Sequence, residues 1–236
     1  MAQALIILYS GDPSNLDCLR AIQRHRIPCV LIDRYLEEID LDYVTSDNPR
    51  AAEDLATRLL DLAPAQRYLI VTSEETCSSV RQREQGYQAR LHRAGVSPDR
   101  ISILRMPAGR GLAAESDGYP AIYRALAELD GTFSVLLINS VPLLALSRCL
   151  DDSGLWQHCR GIAAFDEHPL FAAPPHVAYV RTVQPLEHIA RTAVRLAVAK
   201  ASGDQTQRRV LLPAEVQVVQ FPSAVAPMAS AAPAAH

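Results

Sequence analysis

The chain lacks any apolar run long enough to cross a bilayer. Its most apolar opening stretch, ALIILYS at 4–10, falls far short of the roughly 20 residues a spanning helix needs. No basic segment precedes that stretch, so no export signal is expected and the chain is expected in the cytoplasm, away from membranes. It also lacks an excess of positive charge. With 23 Lys and Arg against 26 Asp and Glu, the formal net charge is −3, which provides no global field to hold a polyanion. Nucleic-acid binding by this chain alone is therefore not expected. The five cysteines, Cys18, Cys29, Cys77, Cys149 and Cys159, are odd in number and never form a C-x-x-C pair. They are expected to be reduced, mostly buried thiols.

Catalytic signatures are missing as well. There is no H-E-x-x-H, no serine in G-x-S-x-G, and no nucleophile with a base beside it. AGRGLAAE at 108–115 has glycines but neither G-x-x-x-x-G-K-[ST] nor the third glycine of G-x-G-x-x-G, so it reads as a plain loop. His158 and Cys159 are adjacent without a second ligand pair at metal spacing, so zinc is not expected. The expectation is a binding protein rather than an enzyme, with no cofactor and no metal.

What is present is a strong strand–helix rhythm. Short apolar runs at 4–10, 27–33, 42–46, 67–73, 100–106, 132–140 and 161–166 are each followed by polar turns or helix-period stretches. AYVRTV and EVQVVQF complete the list of strands. Asp47 and Asn48 offer capping oxygens and Pro49 suits a first helical turn, which marks a helix start. Ser14 and the small residues of SEETCSS (73–79) offer caps for two further helices. Strands apolar on both faces, alternating with helices, indicate an α/β chain with parallel sheets. The terminal Ala/Pro/Ser segment from about 223 cannot bury a core and is expected to be disordered.

In an open parallel sheet, ligands bind beyond the carboxyl ends of the strands. Those ends carry Asp33 after VLI, Asn139 after LLI, Asp166 after AAF, and Gln184 after YVRTV. Arg83 follows one helical step beyond RYLIVTS. Carboxylates accept from hydroxyls, a guanidinium donates to two oxygens, and amides do both, so the set suits a polyhydroxyl ligand. Each acid taken singly also reads as a helix cap. Arg81 and Arg83 stand two apart at a helix start, where the macrodipole prefers anions. Either they point to solvent or something rich in oxygen lies against them.

Four stretches resemble the effector-binding region of lactose/galactose-repressor-type (LacI/GalR-type) transcriptional regulators. They are IPCVLIDRYLEEIDLDYVTSDN, SSVRQREQGY, FDEHPLFAAPPHVAYVRTVQPLEHIARTAVRLAV and RRVLLPAEVQVVQ, which occur in that family's order over roughly residues 4–221. The resemblance implies two lobes of the type I periplasmic-binding-protein fold, joined by three crossovers, with a sugar or related small molecule in the cleft. It implies ligand contacts from Asp33, Arg83, Asn139, Asp166 and Gln184, with Arg81 paired to an acid. It also implies allosteric transcription regulation, as a repressor, through cleft closure. Set against the family, the sequence holds no helix-turn-helix, and ALIILYS matches the third strand of the first lobe. The expectation is thus an N-terminally truncated region. An incomplete first lobe would span 1–44 plus 186–208, and a second lobe 45–182 plus 209–221, with a tail at 223–236. DNA would be reached only through an absent domain, and a homodimer would be weakened. LAPAQRYLIVTSEETCSSVRQREQGY and FSVLLINSVPLLAL lean toward the fructose-repressor branch, which implies a sugar phosphate. Alternatives are a solute-binding protein of a sugar transporter, a small α/β enzyme on phosphorylated substrates, or a non-functional remnant.

Overall fold

In the computed structural model the described residues are 3–10, 13–74, 77–107 and 112–220. The glycine-rich 108–111 and the tail expected to be disordered lie outside them. Two sheets form. The first orders β1 (Leu5–Leu8), β2 (Cys29–Ile32), β3 (Asp42–Ser46) and β9 (Arg209–Leu212), all parallel. The second orders β10 (Glu215–Val219), β8 (Ala178–Val183), β7 (Cys159–Phe165), β6 (Phe133–Leu137), β4 (Arg67–Ser73) and β5 (Ile101–Met106). Five of these six are parallel, and β10 runs antiparallel to β8 at the edge.

Helix α1 (Leu16–Arg24) packs on one face of the first sheet and α6 (Leu186–Ala201) on the other. The second sheet has α2 (Asn48–Leu62) and α3 (Ser78–Arg93) on one face. The opposite face carries α4 (Leu112–Ala127) and α5 (Leu143–Ser153). Central strands are apolar throughout because alternate residues serve two cores. Ile70, Leu136 and Phe165 join the α2/α3 core, while Val71, Leu137 and Ala164 join the α4/α5 core. Each such buried Val, Leu, Ile or Phe side chain contributes about 1.5–3 kcal/mol.

The local signals act unevenly. Asp47 caps α2, its Oδ1 accepting from the Arg50 amide at 3.3 Å. Helix α1 begins after a 3-10 turn at Pro13–Asn15, and its N-cap residue is Asn15, which makes no side-chain cap. Cys77 precedes α3 and again gives no side-chain cap; the Ser78 amide instead donates to the Tyr35 carbonyl at 3.3 Å. Helices α2 and α3 approach closely at Gly86, where an added Cβ would lie 2.6 Å from Ala52 Cβ and 2.7 Å from the Pro49 carbonyl oxygen.

The chain passes between the sheets three times, after β3, after β8 and after β9. These passages correct two boundaries drawn from sequence. Strand β9, absent from the sequence-derived strands and assigned with 209–221 to the second unit, hydrogen-bonds to β3 in the first sheet. Thr45 and Ser46, likewise assigned to the second unit, complete β3. Four residues flanked by arginines and proline give too short a period to be read as a strand without its partner.

Candidate functional site

Arg83 lies on the first turns of α3 and is buried, 6% exposed. Its Nε donates to Asn48 Oδ1 at 2.7 Å and Nη1 to the Ile138 carbonyl at 3.0 Å. Nη2 reaches Gln184 Oε1 at 3.4 Å. The guanidinium carbon sits 4.1 Å from the centre of the Phe165 ring, a cation–π arrangement. A guanidinium has five donors, so one remains on each terminal nitrogen. Burial pushes its pKa down, and the charges of Asp33 and Asp166 push it back up. Two carboxylates, one beyond a strand of each sheet, thus favour the charged form of one buried cation.

Both acids stand one residue past the end of a strand, Asp33 after β2 and Asp166 after β7. Both have left-handed backbones, with φ of 66° and 64°. Aspartate tolerates this region better than most residues, yet it still costs on the order of 1 kcal/mol. The Asp33 carbonyl accepts from Thr45 Oγ1 at 2.7 Å, and its Oδ2 accepts from Arg34 Nε at 3.3 Å. The Asp166 amide donates to Thr182 Oγ1 at 3.4 Å. Matched acids at matched strand ends, each in strained backbone, point to a site built from both sheets.

Gln184 lies where the chain leaves β8 for α6 and ties these groups together. Its Nε2 donates to both Asp166 oxygens at 3.0 and 2.9 Å, and its Oε1 accepts from Ser46 Oγ at 2.9 Å as well as from Arg83. Asn139 is placed differently. Its Oδ1 accepts from the Val141 amide at 3.1 Å, closing its own turn, and it joins the cluster through the backbone of Ile138. Arg83, Gln184 and Asp166 are therefore linked directly, Asp33 by charge, and Asn139 by adjacency.

A second set of contacts joins the sheets beside the first. Tyr35 and Ser78 exchange two bonds: the Tyr35 amide donates to Ser78 Oγ at 3.0 Å, and the Ser78 amide donates back. Gln82 Nε2 donates to the Tyr35 hydroxyl at 2.6 Å, and Arg81 pairs with Glu37 at 2.7 Å. Tyr35 stacks on Tyr43 with ring centres 3.9 Å apart. Arg81 is thus paired with an acid.

Sequence reading missed Asn48, Ser46, Phe165 and Tyr35. Asn48 left a usable signal, since Asp47 already caps α2 and a second capping residue is surplus. Among the described residues no group of three or more His, Cys, Asp or Glu side chains could hold a metal ion. No helix there is long and apolar enough to cross a membrane.

No protein-family model matches the chain. It is 31% identical over 214 residues to the HTH-type transcriptional regulator PtxS of Pseudomonas aeruginosa, a match spanning 85% of this chain and 56% of that protein. It is 25% identical over 206 residues to the HTH-type regulator KdgR of Bacillus subtilis, spanning 86% of this chain and 58% of that one. The chain therefore spans somewhat more than half the length of these curated relatives. Among solved structures, a LacI family regulator from Enterococcus faecium with bound ribose superposes with a TM-score of 0.72 at 19% identity. That match covers 94% of this chain and 80% of the other. A transporter solute-binding protein from Agrobacterium vitis with bound tagatopyranose gives 0.71 at 18%, covering 91% and 74%. The fold is that of type I periplasmic-binding proteins, and by sequence the chain is similar to the HTH-type transcriptional regulators PtxS and KdgR over somewhat more than half of their length.

Proposed function

We propose that the chain is the sugar- or sugar-phosphate-sensing region of a cytoplasmic LacI-type regulator, acting by binding and not by catalysis. The carrying observation is the convergence of Asp33 and Asp166, from different sheets, on the buried Arg83. Ligand hydroxyls would take the free lone pairs of the two acids, and ligand oxygens the remaining Arg83 donors. Such a ligand would compete with Gln184 for Asp166. Since Gln184 lies on a connection between the sheets, binding there would bias how the sheets close on each other. DNA would be reached through another domain, and a homodimer would transmit the change.

Thermal unfolding against sugars, sugar phosphates and purines, repeated with Arg83→Ala, tests this. A ligand at a hundred times its dissociation constant adds about 2.7 kcal/mol, a clear rise in midpoint. A rise confined to sugars or sugar phosphates and absent in Arg83→Ala is expected. No rise with any compound, or one that survives the substitution, would sink the reading.

A further inference from the structure

The side-chain amide of Gln184 already does what a bound ligand would do. A carboxylate only accepts and a guanidinium only donates, so these two partners fix the orientation of the amide. Nε2 faces the Asp166 oxygens at 3.0 and 2.9 Å, and Oε1 faces Arg83 Nη2 at 3.4 Å. Among the described residues, nothing else donates to the Asp166 carboxylate. A vicinal diol offers the same pair of groups, one hydroxyl donating to the acid and its neighbour accepting from the arginine. A diol seated between Asp166 and Arg83 has to take the place of the amide.

The amide is also tethered from outside the charged pair. Ser46 Oγ donates to Gln184 Oε1 at 2.9 Å. Ser46 is fully buried and ends β3, where the chain first passes between the sheets, while Gln184 lies on the second passage. One side chain therefore joins two of the connections and both charged groups. Gln184 itself is only half-buried, so its amide can leave for solvent without opening a core.

We propose, building on the sensing function above, that Gln184 is a tethered competitor. Its amide occupies the Arg83–Asp166 pair until a diol-bearing ligand displaces it. The apparent affinity is then the intrinsic affinity scaled by the fraction of chains whose amide is off the pair. Gln184 thus sets the concentration at which the site responds. Displacement also takes the acceptor away from Ser46, which unties the first passage from the second. Occupancy of the site is in this way felt by the chain that joins the sheets.

Calorimetric titration of the full chain with the sugars and sugar phosphates of the thermal panel, ribose and fructose 6-phosphate among them, tests this. The native sequence is compared with Gln184→Met and Ser46→Ala. Methionine keeps the length of the side chain and removes both polar ends; alanine at 46 leaves the amide and removes its tether. Urea midpoints verify that each variant folds, and Gln184→Leu replaces the methionine variant if it does not. Binding should tighten roughly tenfold in Gln184→Met and roughly threefold in Ser46→Ala, as the competent fraction rises. Damage to the fold would weaken binding, so a gain cannot arise from it. Weaker binding in Gln184→Met would make Gln184 a ligand contact and overturn the proposal, as would binding left unchanged in both variants. Native binding without such a gain sinks this proposal alone. No binding by any of the three chains sinks the sensing function and the competitor with it.

Discussion

Arg83 shows how much one buried cation can organise. Its three bonds reach α2, the end of β6 and the crossover at Gln184, so substitution removes joints as well as charge. Lysine keeps the charge but not the planar fork. Arg83→Lys should lower stability by about 2 kcal/mol, with the Asn48 or Ile138 oxygen left unpaired, measured as a drop in the denaturation midpoint in urea. Asp166 separates charge from backbone. Asparagine tolerates φ of 64°, so Asp166→Asn should lower the midpoint only through the lost charge beside Arg83 and the second Gln184 contact, while weakening ligand binding. Asp166→Ala should cost about 1 kcal/mol more, because alanine is strained in the left-handed region. Equal midpoints for the two variants would refute the strain assignment. The acids, the arginine and Gln184 were legible in the sequence because each ends a readable strand or follows one. Phe165 and Asn48 were not, since an apolar strand residue and a capping residue each have a commoner use.

Between elements, the close contacts set the tolerance. Gly86 admits α2 against α3 with no room for a methyl group, so Gly86→Ala should destabilise by about 1–3 kcal/mol despite favouring the helix. An unchanged or raised midpoint would show that the helices can separate there. The Tyr35–Ser78 exchange makes a complementary case. Tyr35→Phe removes only the bonds of its hydroxyl, to Gln82 and to Tyr43, whereas Tyr35→Ala also removes the stack on Tyr43. Amide exchange at Ser78 should quicken markedly in the second and little in the first. Elements were legible wherever an apolar run had a helix after it. Strand β9 had none, and only its partner β3 makes it a strand. The capping of α3 was misread for a related reason: a distant carbonyl, that of Tyr35, meets a need that local sequence appeared to meet.

At the scale of the whole molecule, burial shapes the response to pH. Burial, with a smaller contribution from Asp42, pushes the Cys29 thiol up to about 12, and burial does the same for Cys159 and for the Tyr179 phenol. An unfolded thiol ionises near 9 and a phenol near 10. Above pH 9 the unfolded chain therefore gives up protons that the folded chain keeps, and stability falls as pH rises toward 12. Thermal midpoints should be insensitive to these groups below pH 9 and decline above it; a rise would contradict the assignment. Of the five thiols, Cys18 is exposed and the others are buried, so one should react quickly with a thiol reagent before unfolding and five after it. The two-sheet plan and its crossovers bring Asp33 and Asp166 to one cation, and that convergence is what a direct binding experiment can challenge. Calorimetric titration of the best ligand from the thermal panel should be run on the native chain and on Asp33→Asn and Asp166→Asn. A single site, weakened at least tenfold by each substitution, is the expected result. Binding that ignores either acid would contradict a site shared between the two sheets.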